Sequence, residues 1–317
     1  MSRYQCVLCV AMLSVWGLGC AGLKQSCDDT GCEYDCEAKT LFKWGICKDE
    51  PDTTGASDLL ENGGNGFAAQ RSEDEDTITT DRPDFTEAST TVGKGRIQLE
   101  MGYTYFRDRD RAGALTQSHS YPELLARVGL FAEWFELRVG QNFGTAITTG
   151  GGPRTRVNGA SDLYLGTKLA LTEQQGHLPE SALILQMTVP TGSTAFSSGK
   201  VLPGVSYLYG WDLTDKVSLA GSVLGNVAVE DSGHKFWQMA SSLSVGVGFT
   251  DTVGGYFEYF GFYPTGGIDP TTKPEYYLNG GFTYLITKNV QYDIRAGFGL
   301  NRAAADFFAG SGLALRF

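Results

Sequence analysis

From Thr77 onward the chain repeats one pattern, with apolar residues at every second position and charged, polar or glycine residues between them. Side chains of an extended strand point alternately to its two faces, so such a segment lies between two different environments. The period of two excludes a helix with one buried stripe. Between Arg96 and Phe106, Ile97, Leu99, Met101, Tyr103 and Tyr105 share one face, while Gln98, Glu100, Gly102 and Thr104 share the other. Leu124, Ala126, Val128 and Leu130 oppose Glu123, Arg127 and Gly129, and Phe135, Leu137 and Val139 oppose Glu136, Arg138, Gly140 and Asn142. Late in the chain, Val290, Tyr292, Ile294, Ala296 and Phe298 still oppose Gln291, Asp293, Arg295, Gly297 and Gly299.

Twelve such segments are placed, at 95–107, 120–131, 134–144, 160–172, 180–190, 202–213, 216–228, 237–250, 253–263, 275–287, 289–300 and 306–317. Connections are tight after the second, sixth, eighth and tenth segments and mostly longer after the odd-numbered ones; 173–179 and 301–305 break the rule. Even strand number, short turns alternating with longer loops, and apolar-out, polar-in patterning are the marks of an outer-membrane barrel, which satisfies every backbone group by closing on itself. The expected fold is therefore all-β: an antiparallel transmembrane β-barrel of about 12 strands. A chain with 42 glycines and 33 Phe plus Tyr fits that class. Phe317, closing an alternating strand, resembles the signal read by the barrel assembly machinery. A soluble exported β-sandwich is the rival reading of the same alternation.

What precedes the barrel is different material. Arg3, an apolar run from Cys6 to Leu18, and the small residues Gly19 to Gly22 read as a secretory signal at 1–21. Cys20 after Gly19 also makes it a candidate for lipidation, although Gly17 stands where such signals prefer Leu. All seven cysteines fall within the first 47 residues. Cys27, Cys32, Cys36 and Cys47 are read as two disulfides in an exported chain, with a zinc site as the alternative. Residues 21–77 hold 14 acids against 5 bases, whereas 78–317 hold 22 against 19. The acidic, Gly- and Asn-rich remainder of 22–76 is expected to be a largely disordered, Cys-rich extension in the periplasm. With no basic patch, nucleic acid is not an expected partner.

Before the first strand stands Thr80-Asp81-Arg82-Pro83-Asp84-Phe85-Thr86-Glu87-Ala88. With Gly95 to Tyr103, Pro122-Glu123-Leu124-Leu125, Arg127 and Leu137-Arg138 following in order, it resembles the opening of a transporter-like outer-membrane barrel family named for a meta-pathway of phenol degradation. The resemblance covers roughly 77–317 and implies a barrel that passes small, aromatic or hydrophobic compounds across the outer membrane. The Cys-rich extension lies outside it. Pro83 fixes its own φ and disfavours helix at Arg82. Asp81, Arg82, Asp84 and Glu87 alternate in sign, which suits an extended plug or latch pairing with charges on the barrel wall; a solvated lead-in is the alternative.

Twelve strands imply a backbone radius on the order of 12 Å, which leaves a narrow passage. Its expected inward charges are Glu100, Glu123, Glu136, Asp162, Asp212, Glu258 and Asp293 against Arg127, Arg138, Lys168, Arg295 and Arg316. Nearly balanced signs fit a structural network, or a pore lining with weak charge preference. Tyr207, Tyr209, Trp211, Phe257, Tyr259, Tyr276, Phe282 and Tyr284 are expected to face outward. His119, His177 and His234 fall in expected connections without metal-ligand spacing, and only Ser118, His119 and Ser120 hint at a barrel phospholipase. The expected function is an outer-membrane channel or transporter for small solutes, without cofactor or catalytic step. The alternatives are a closed structural barrel and, behind it, the phospholipase.

Overall fold

In a computed structural model, residues 24–28, 31–35 and 77–317 apart from 111, 151–152, 231 and 267–271 are described. The signal, Cys20, Cys36, Cys47 and the acidic linker lie outside the described residues. Within the extension, β1 (Lys24–Asp28) and β2 (Gly31–Asp35) form an antiparallel hairpin whose register pairs Cys27 with Cys32. The sequence reading placed no strand there.

The barrel is built from β3 (Ile97–Arg109), β4 (Leu115–Gly129), β5 (Phe135–Thr149), β6 (Thr155–Ala160), β7 (Leu163–Thr172), β8 (Glu180–Val189), β9 (Leu202–Thr214), β10 (Val217–Val229), β11 (Lys235–Gly248), β12 (Val253–Thr265), β13 (Glu275–Thr287), β14 (Val290–Gly299) and β15 (Phe307–Arg316). β6 and β7 both pair with β5 and form one interrupted stave, so the sheet has twelve staves. Every neighbour is antiparallel, and the last strand pairs with the first, Leu315 opposite Leu99. Closure leaves no open edge, which a hydrocarbon surround requires.

Burial is inverted relative to a soluble protein. The largest fully buried side chains include Arg127, Arg138 and Lys168, each 0% exposed, whereas Phe257 and Phe282 are 60% and 55% exposed. Leu99, Leu124, Leu137, Leu185, Leu243 and Ile294 are exposed on the same outer face. A soluble sandwich would bury these and solvate the charges, so the inversion decides against that reading.

Two sequence expectations change. The strands run further at the loop end than the alternation suggested, so β3–β4 and β10–β11 are joined by five residues each. His119 therefore lies inside β4 and not in a connection. The inward face is also not uniformly polar: Ile184, Leu208, Phe260, Tyr277 and Phe308 are buried there.

Candidate functional site in the barrel lumen

Residues 77–96 leave the barrel wall and run through its interior. The segment enters at the turn end, where Ile78 N donates to Lys288 O (2.8 Å) and an Arg316 guanidinium nitrogen donates to Thr77 O (3.2 Å). It returns to the same end, where Lys94 N donates to Glu133 Oε2 (2.9 Å) and Gly95 N to Gly129 O (2.8 Å). Between these points Thr80, Asp81, Pro83, Asp84 and Thr86 are buried.

Asp81 sits at the centre of an ion cluster. Its Oδ2 lies 2.6 Å from Arg138 Nη1 and 3.3 Å from Arg127 Nε, and its Oδ1 lies 3.0 Å from Lys168 Nζ. Arg127 also reaches Glu100 (3.1 Å) and Glu136 (2.9 Å), and Arg138 reaches Glu136 (3.1 Å) and Glu87. Four acids thus meet three bases, with the remaining donors turned to the carbonyls of Thr79, Ala88 and Thr90. Charges so far from water persist only when paired and fully hydrogen-bonded, a condition this cluster meets. Burial pushes the Asp81 carboxyl up, but Arg127, Lys168 and Arg138 hold it well below the ordinary carboxylate range.

Arg82 points to the other side. Its Nη1 is 2.8 Å from Glu123 on β4 and its Nε 3.4 Å from Asp293 on β14, while Nη2 donates to Ser311 O (3.1 Å) on β15. Phe85 N and Thr86 N donate to the two oxygens of Glu258 on β12 (2.8 and 2.7 Å), and Asn279 adds a third bond to that carboxylate (2.9 Å). β5 and β12 are third and ninth of the twelve staves, hence opposite each other. Five consecutive positions, Asp81 to Phe85, therefore bridge the lumen from one wall to the other.

Asp84 departs from the expected pairing with a wall cation. Its Oδ2 is buried with no hydrogen-bond partner among the described residues, and the nearby charges are Glu258 and Asp81, both acidic. Burial, and then Glu258, raise the Asp84 carboxyl well above its ordinary range. Arg295 donates to Pro83 O (2.8 Å) and Thr104 Oγ1 (2.9 Å) and lies over the Phe308 ring (5.8 Å). Asp162 does not join the network either. Its carboxylate, in the break between β6 and β7, instead accepts from Gly192 N and Ser198 N.

An aromatic group lies next to the segment. Phe85 stacks on Phe260 (centroids 4.6 Å), Phe260 stacks on Tyr277 (4.8 Å), and Phe262 and Phe308 pack edge-on or tilted around them. Sequence reasoning missed this group because its members come from the segment and three strands. It also missed Gln98, whose amide ties Thr79 O to Glu100, and Ser89, which donates to Glu180. The Ser118, His119 and Ser120 triplet does not assemble a nucleophile and base: His119 points outward with its Nδ1 2.9 Å from Tyr103 Oη, and strand alternation turns both serines to the opposite face.

Residues 80–317 match the family model described as "Putative MetA-pathway of phenol degradation". The chain belongs to that family. Among solved structures, the COG4313 outer membrane channel from Pseudomonas putida F1 is similar with a TM-score of 0.57 at 13% identity, over 72% of this chain and 98% of that one. The transport unit of the autotransporter AIDA-I from Escherichia coli follows at TM-score 0.49 and 10% identity, over 71% and 90%, and the NanC porin at 0.45 and 10%, over 69% and 98%. At such identities the likeness is one of fold. No curated protein sequence matches.

Proposed function

We propose that this outer-membrane barrel is a channel for small solutes, aromatic or hydrophobic compounds among them, and that residues 77–96 are its plug. The observation that carries the reading is the bridge from Asp81 on one wall to Phe85 and Thr86 on the opposite wall, held by buried ion pairs and hydrogen bonds. Membership in a family described by phenol degradation and the aromatic group around Phe260 support the solute class. Edge-to-face and offset contacts let such rings receive another aromatic ring without a polar anchor. The N-terminal extension is assigned to the periplasm, because the segment that follows it enters the barrel at the end with the shorter turns.

A closed, purely structural barrel is the second reading, favoured by the same plug. Liposome swelling separates the two. Refolded full-length protein should admit phenol-sized aromatic solutes faster than aliphatic solutes of equal size, and a variant with Arg82→Ala should admit both faster. A barrel that passes no solute in either form is structural.

A further inference from the structure

The loop 190–201, between β8 and β9, folds inward. Its residues meet the inner faces of β5 and β6, where Gly144 and Gly159 stand opposite each other in register. By the alternation of β5, Gly144 shares a face with Glu136, Arg138 and Gly140, which is the lumen face. A Cβ on Gly144 would come within 2.6 Å of the Phe196 ring, and one on Gly159 within 1.7 Å of Ser193 Oγ. Both glycines leave the space that the loop fills.

The loop is also fastened along its length. Ser193 N donates to Ala160 O (2.9 Å), Leu163 N to Thr191 Oγ1 (3.1 Å), and Phe196 N to Ser193 O (2.8 Å). Asp162, standing in the break between β6 and β7, accepts from Gly192 N (3.1 Å), Ser198 N (2.9 Å) and Ser198 Oγ (2.9 Å). One carboxylate thereby holds two points of the loop six residues apart. Further on, Lys200 Nζ donates to Gly233 O in the β10–β11 connection. A loop bonded at this density keeps one position instead of sampling many.

We infer that loop 190–201 is the size-selecting constriction at the loop end of the lumen, with Phe196 as its specificity-determining side chain and Asp162 as the positioning residue that holds it. The inference rests on the channel reading. Phe196 packs on the wall where Gly144 and Gly159 lack Cβ atoms, so its bulk, and not that of the wall, sets the free width.

Two measurements test it on the full-length protein. In the first, limited trypsin digestion of the folded barrel should leave Lys200 uncut in the parent and cut it in Gly159→Leu, whose side chain takes the place of Ser193, with the heat-modifiable gel shift retained in both; this readout is independent of transport. In the second, liposome swelling is followed with arabinose, glucose, sucrose and raffinose in the Arg82→Ala background. Adding Phe196→Ala should raise the raffinose-to-arabinose rate ratio several-fold, and adding Asp162→Ala should do the same without removing the ring. Cleavage at Lys200 in the parent, or none in Gly159→Leu, overturns the inference whatever the barrel conducts. The expected cleavage pattern with an unchanged sugar ratio overturns the selecting role alone. Failure of every variant to swell, with the expected cleavage pattern present, overturns the channel reading and the selecting role with it.

Discussion

The guanidinium of Arg82 lies directly over Gly102, where a Cβ would come within 2.3 Å of Arg82 Cζ. Gly312, opposite Gly102 in the β3–β15 register, leaves the same space from the neighbouring strand. Two glycines thus form a flat seat for one side chain, and Glu123 and Asp293 close its sides. Gly102→Ala should expel the guanidinium and leave Asp293 buried without its partner. The expected outcome is a more conductive barrel in planar bilayers, with the heat-modifiable gel shift retained.

Asp81 faces three cations at once, so its removal leaves Arg127, Arg138 and Lys168 with less opposing charge in a water-poor site. Breaking a buried pair by removing one partner costs about 3–5 kcal/mol. Asp81→Asn should keep the shape and lose the charge, releasing the plug; protease cleavage within 77–96, absent in the parent, is the measurement.

pH should act on the plug from two sides. Asp84 has a folded-state value above its unfolded one, so the stabilisation tied to its proton is complete below the ordinary value of about 4 and is lost as pH rises through the raised value. The groups facing it are Glu258 and Tyr256 on β12 and Asp81 within the segment. Asp81 runs the other way: its contribution is present above about 4 and is lost as pH falls through its lowered value. Conductance should therefore rise towards alkaline pH in the parent, and Asp84→Asn should flatten that rise while leaving the acid response in place.

The stack of Phe85 on Phe260 joins the plug to the proposed aromatic path. Phe260→Leu keeps the apolar volume but removes the ring, and the preference for phenol over an aliphatic alcohol of equal size in liposome uptake should fall. Equal preference before and after the change would detach the solute class from this group of rings.

Much of the barrel was legible because a strand records its two environments residue by residue. Leu99 and Glu100, Leu137 and Arg138, or Phe257 and Glu258 declare opposite faces without any knowledge of neighbours. The charged residues of the opening motif could be read as a candidate latch because the inward rows offer charges of opposite sign, as Asp81 and Arg82 find. Register was not legible. That Gly102 meets Gly312, or that Gly144 meets Gly159, depends on how strands slide against each other, and alternation is blind to any shift by two residues. That Asp162 binds the 190–201 loop and not the ion network was not legible either, because the stave breaks beside it and no local composition marks the break. Asp84 was expected to find a cation, yet it faces Glu258, a contact set by a strand far along the chain.

The most direct test of the plug compares single-channel conductance of the refolded parent with that of Asp81→Ala combined with Arg82→Ala. A plugged lumen gives a small or intermittent conductance in the parent and a larger, steady one in the double variant, with the gel shift of a folded barrel in both. Equal conductance in two folded barrels would contradict a plug at 77–96.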